Sequence, residues 1–126
     1  MVIATQRAGA PIVAGTDSPN AVNLHGELLS YVLAGMTPYQ ALRTATVSPA
    51  EALGLDAGSL EPGKLADLVI VEGHPLEDIT QAQRVRYVIA NGWLYDREAL
   101  VRRGRPERPM PKEGSRAARS WRSARQ

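Results

Sequence analysis

The chain contains no cysteine. Disulfides and thiolate metal sites are therefore excluded, which fits a reducing compartment. It has no long apolar run either. The longest strongly apolar stretch, Leu65–Val71, is interrupted by Asp67 and is far too short to cross a bilayer. The N-terminus shows no basic segment followed by a long apolar run and a small-residue cleavage site, so no secretory leader is expected. These absences point to a soluble, cytoplasmic protein with no membrane partner. At 126 residues the chain has enough length for one small domain.

What is present is unevenly distributed. Residues 1–96 carry five basic and ten acidic side chains, a net of −5. Residues 97–126 carry ten basic and three acidic ones, a net of +7. The basic character thus belongs to a tail and not to the body. From about Arg103 onward Arg, Pro, Gly, Ser and Ala dominate. Such a segment buries too little apolar surface to offset its ordering entropy and is expected to be disordered. Arg116, Arg119, Arg122 and Arg125 recur at intervals of three, with Trp121 among them. Phosphate binding is one reading of that pattern. A single aromatic offers little base stacking, so a solvated tail is the preferred reading and nucleic acid is not the expected partner.

Ala10–Gly15 is a short apolar run that reads as a buried strand. The turn-forming residues Thr16 to Asn20 follow. Leu24, Leu28, Leu29, Val32 and Leu33 share one stripe with a period near 3.6, predicting a helix from Leu24 to about Ala34. Asn23 is its expected N-cap and Gly35 its terminator. Thr37-Pro38-Tyr39-Gln40 and Ser48-Pro49-Ala50-Glu51 both match the capping box with proline at the first helical position. The second helix is predicted to reach about Thr46 and the third to end at Gly54. Beyond the turn Leu60–Gly63, Leu65–Val71 reads as a strand. Asp78–Gln83 is a connection. Val85–Ala90, Asn91-Gly92 and Trp93–Tyr95 form a hairpin, because Asn and Gly both tolerate positive φ.

Several of these segments, in this order, resemble a known family. Ala14-Gly15-Thr16-Asp17-Ser18, Leu24-His25-Gly26-Glu27-Leu28, Ala34-Gly35-Met36-Thr37-Pro38, Ala41–Thr46 and Ser48–Glu51 are similar to the end of the amidohydrolase superfamily, in its imidazolonepropionase and prolidase-like branch. Gly58–Val71 and Val85–Tyr95 continue the resemblance, which covers roughly residues 8–96 and fails in the tail. It implies an α/β fold: the C-terminal part of a TIM-type (β/α)8 barrel plus part of a small β-sandwich. Residues 1–57 would be the last barrel strand and its trailing helices, 58–96 the C-terminal strands of the sandwich, and 97–126 the basic tail.

The resemblance also implies a chemistry: metal-dependent hydrolysis of C–N bonds in small amide, peptide-like or cyclic amide substrates. Catalytic residues in such barrels lie at the C-terminal ends of strands, where Asp17 falls. By its local sequence alone Asp17 reads as a turn or cap residue. By the resemblance it is a ligand for a divalent metal, zinc foremost, and the catalytic base. Such an ion lowers the pKa of its water from about 15.7 to about 7, and a neighbouring carboxylate can pass the proton to the leaving amine. The family's remaining ligands are a His-x-His pair, a bridging Lys or Glu, and further histidines. This chain has two histidines, His25 and His74, and no His-x-His. Catalytic zinc takes about three protein ligands plus water. The others would have to come from another polypeptide, and the isolated chain is expected to be inactive.

His25 reads either as a half-exposed polar residue of a first helical turn or as a substrate contact near the barrel mouth. His74 reads as a solvated loop residue. Asp67 is expected to accept from amides near Gly63-Lys64, and Trp93 and Tyr95 to pack in the sandwich. Three functions follow for testing: the end of an amidohydrolase, a subunit that completes a barrel with a complementary chain or another copy, and an anion- or RNA-binding protein driven by its tail.

Overall fold

A computed structural model of the chain describes residues 2–17, 22–103 and 108–109. The described residues fall into two compact units, those within 2–65 together with 71–85, and those within 66–70 together with the described residues from 86 to 109.

The first unit is helical. Helices α1 (Val2–Arg7), α2 (Val22–Leu33), α3 (Pro38–Thr44) and α4 (Val47–Leu53) are followed by a 3₁₀ turn at Ile79–Gln83. Leu28 and Tyr31 of α2, Met36, Ala41 of α3 and Ile79 form its core. Val2, Ile3, Ile12, Ala14, Leu29 and Val32 pack around it. The buried face of α2 is rotated from the expected stripe. Leu33 is 79 % exposed, whereas Tyr31 is buried. Tyr31 can enter the core because its hydroxyl donates to Glu27 Oε1 one turn earlier at 2.5 Å, so no polar atom is orphaned.

The capping box of α3 forms as expected. Gln40 N donates to Thr37 Oγ1 and Thr37 N donates to Gln40 Oε1. The second box does not form. Helix α4 starts at Val47 with Thr46 in the cap position, and no side chain caps it. Only Ala45 and Thr46 separate α4 from α3, so Ser48 already lies inside the helix and its hydroxyl cannot occupy the cap. Helix α4 ends as expected at Gly54, in the left-handed conformation. Gly58 then passes so close to the chain that an added Cβ would sit 2.5 Å from the Thr46 carbonyl oxygen.

Residues 10–16 form no strand. They are extended, and Ile12 and Ala14 face inward while Val13 is exposed, the period-two alternation of a strand. Ala14 N donates to Thr44 O at 2.8 Å. A strand requires a neighbouring strand to bond with, and a barrel strand needs one on each edge. No described segment supplies either.

In the second unit the sheet order is β1 (Leu68–Val71), β2 (Val85–Ala90), β3 (Trp93–Asp96) and β4 (Arg108–Pro109). Strands β2 and β3 form the expected hairpin, with Ile89 opposite Leu94 and Tyr87 opposite Asp96. Asn91 (φ 49°) and Gly92 (φ 77°) both take positive φ, as the tight hairpin turn demands. Ile89 and Leu94 are both buried, while Trp93, on the opposite face, is 43 % exposed. Strand β1 is shorter than expected. Asp67 Oδ1 accepts from Asn91 N at 2.5 Å, and Ala66 O accepts from Gly92 N. Residues before Leu68 thus brace the hairpin turn instead of extending the ladder, and Asp67 serves that turn and not the Gly63-Lys64 loop.

The expected tail from residue 97 is also corrected at its start. Residues Arg97–Arg103 form helix α5. Asp96 Oδ1 accepts from the amides of Glu98 and Ala99, an N-cap bond pair, and Ala99 is buried. The four arginines from Arg116 to Arg125 and the expected disorder there lie outside the described residues.

Candidate functional site

Asp17 closes the extended segment that begins at Ala10. It is exposed and sits at φ 44°, one of two non-glycine residues with positive φ among those described. Aspartate tolerates this left-handed conformation better than most residues, but the backbone still favours another one. Aspartate is among the non-glycine residues that take positive φ most often, so this conformation suits a turn at the end of the extended segment.

His25 lies in the first turn of α2, eight residues further on. Residues 18–21, which lead from one to the other, are outside the described set. The His25 side chain is half-buried, and its Nδ1 is buried with no hydrogen-bond partner. It is the one such side-chain atom among the described residues. Buried polar atoms are normally paired, so this one needs a reason.

Elsewhere on α2, the Glu27–Tyr31 pair is a feature that sequence reading overlooked. Its signal was the i, i+4 spacing of a carboxylate and a phenol. Burial, reinforced by the hydrogen bond to Glu27 and its charge, pushes the Tyr31 hydroxyl up to about 12. The pair satisfies the Tyr31 hydroxyl at the edge of the core that α2 packs into. His74 is exposed, and its backbone N–H donates to Gln81 Oε1. That bond belongs to a structural turn: Asp78 accepts from both the amide and the hydroxyl of Thr80 and from the Gln81 side chain, which holds its carboxyl below the usual range.

Among the described residues, no three His, Cys, Asp or Glu side chains converge in a way that could hold a metal ion. Asp17 offers one ligand where a catalytic zinc takes about three from protein. The described residues therefore do not fit a complete metal centre. No described helix is long and apolar enough to cross a membrane.

Comparison with known proteins identifies what this arrangement is part of. The model of the amidohydrolase family matches residues 2–94. The chain belongs to the amidohydrolase family. Among curated amidohydrolase relatives, adenine deaminase of Methanosphaera stadtmanae is 42 % identical over 77 residues, covering 60 % of this chain and 13 % of the relative. Imidazolonepropionase of Pyrobaculum arsenaticum is 46 % identical over 70 residues, covering 52 % of this chain and 18 % of the relative. A solved Xaa-Pro dipeptidase with methionine bound in its active site superposes with a TM-score of 0.69 at 36 % identity, over 74 % of this chain and 24 % of its own. The chain thus spans less than a fifth of these curated relatives' length and about a quarter of that solved chain. The extended segment with Asp17, strand β2 and the Asn91-Gly92 turn lie within the family match, which ends at residue 94, inside β3.

Proposed function

We propose that this chain is the C-terminal part of a metal-dependent amidohydrolase that cleaves C–N bonds in small amide, peptide-like or cyclic amide substrates. The observation that carries the reading is the position of Asp17. It ends an extended apolar segment inside the family match and takes positive φ there. In the barrel of the whole enzyme Ala10–Gly15 becomes the last strand and gains the neighbours it lacks here. Asp17 then stands at that strand's C-terminal end, where barrel enzymes place their chemistry. In the whole enzyme Asp17 would be one ligand of a divalent metal, zinc foremost, which would supply an activated water, and the Asp17 carboxylate would pass a proton from that water to the leaving nitrogen. His25 faces the substrate. Residues 1–57 are the barrel's last strand and trailing helices, and 58–96 contribute the C-terminal strands of its small sandwich.

Since Asp17 is one ligand among those required, the remainder come from polypeptide bearing the His-x-His pair, and the 126-residue chain alone is inactive. The test has two arms. Equilibrium dialysis of the pure chain against zinc is expected to show no tight, stoichiometric uptake and no metal-stimulated amide hydrolysis. Supplying the complementary barrel polypeptide is expected to give turnover that Asp17→Ala reduces by at least about 100-fold, the scale of a lost general base. Tight zinc and turnover in the chain alone, or a complemented enzyme indifferent to Asp17→Ala, would refute the proposal.

A further inference from the structure

We infer that His25 carries its imidazole proton on Nε2 and offers that N–H as a hydrogen-bond donor to the carbonyl or carboxylate oxygen of the substrate. The inference deepens the reading above and rests on it for the word substrate. Its structural half stands alone.

A neutral imidazole has one nitrogen that donates and one that accepts, and the environment selects which. In His25 the two ring edges differ. Nδ1 is buried and nothing lies within hydrogen-bond reach. The residue as a whole is only partly buried, and Nε2 is not among the buried unpartnered side-chain atoms of the described residues. Helix geometry accounts for this. His25 shares a face with Leu28 and Leu29, at i+3 and i+4, and those residues pack in or against the core of the first unit.

Placing the proton on Nδ1 would bury an N–H with no acceptor, the kind of orphan that folded chains most rarely contain. Placing it on Nε2 leaves only a lone pair unmatched at Nδ1, and the donor points to the open edge. The tautomer is therefore set by packing before any ligand arrives. A preset donor of this kind is selective. It can serve a carbonyl or carboxylate oxygen, which amide and peptide-like substrates carry, and it cannot serve a group that only donates.

The two isosteric amides make the test specific. A glutamine side chain places its N–H₂ near the position of Nε2, and an asparagine places it near Nδ1. The probe is N-acetylglycine, a small amide with a free carboxylate, added to the 126-residue chain. Long-range proton–nitrogen correlation spectra should show His25 protonated at Nε2, and the probe should shift that nitrogen. His25→Gln should keep the affinity for the probe within about threefold, and His25→Asn should lower it about tenfold, the scale of one net hydrogen bond. The same spectra of Asp17→Ala keep the two claims apart: the His25 tautomer and its response should persist, whatever that variant does to metal binding or turnover. A proton on Nδ1, an Nε2 resonance unmoved by the probe up to its solubility limit, or equal losses in the two variants would overturn the inference.

Discussion

At the scale of single residues, Asp17 and Tyr31 show opposite relations to stability. Asp17 is exposed and left-handed, so its identity contributes little to the folded state. Asp17→Gly should leave the melting temperature nearly unchanged, because glycine takes positive φ freely. Asp17→Val should destabilise by roughly 1–2 kcal/mol, the cost of a left-handed β-branched residue. Equal effects in thermal melts would show that the backbone is not held at this φ. Tyr31 is an integral part of the core. Its ordinary pKa of 10.0 is pushed up to about 12 by burial, with Glu27 adding to it. The unfolded chain releases that proton from about pH 10 and the folded chain keeps it until about pH 12. The contribution is complete below the lower value and is lost as pH rises through the window. Melts from pH 9 to pH 11 should show falling stability, and Tyr31→Phe should flatten the slope. A wild-type slope unchanged by that substitution would place the titration elsewhere.

The elements make a similar point about context. Two segments carry the same capping-box pattern, yet only one uses it. Thr37 has a free run of chain before α3 and closes both reciprocal bonds. Ser48 lies one residue inside a helix that follows α3 after a two-residue link. Thr46, in the cap position, instead turns its hydroxyl back to Leu42 O at 2.9 Å. Thr37→Ala should therefore cost about 1 kcal/mol, while Ser48→Ala should cost a few tenths at most. Chemical denaturation of the two variants would decide it, and equal losses would mean that Ser48 does cap. The hairpin was legible for a local reason: Asn91-Gly92 dictates its own turn, whatever surrounds it. The strand expected at Leu65–Val71 was legible only in part. Its first residues are held by Asp56 O and by the hairpin turn, partners that no local pattern announces. Helix α5 was missed because its composition resembles a tail, and its start depends on Asp96 accepting from two amides ahead of it.

For the whole molecule, the notable quantity is apolar surface left open. Among the described residues no large side chain is fully buried, and Leu33, Leu53, Leu60 and Val101 are each more than 70 % exposed. Val69 and Ile70, adjacent on β1 and so on opposite faces of the sheet, are both exposed. Scattered apolar residues on a surface are ordinary; under the proposed reading, the barrel polypeptide covers some of these. The pure chain should bind an apolar dye and self-associate as concentration rises. Leu53→Lys and Leu60→Lys together should reduce both, and so should a barrel polypeptide that completes the fold. Sedimentation showing a monomer with no dye binding at high concentration would contradict this.

The sequence by itself determined the family, the order of most elements, the hairpin and its Asn91-Gly92 turn, and the candidacy of Asp17. Those properties are encoded locally, in turn chemistry, periodicity and ordered motifs. Tertiary structure decided which nitrogen of His25 is buried, which face of α2 turns inward, which capping box closes, and that Ala10–Gly15 is extended without becoming a strand. Each of these depends on a partner distant in sequence or on the absence of one, and a strand, a tautomer or a buried phenol exists only with respect to what packs against it.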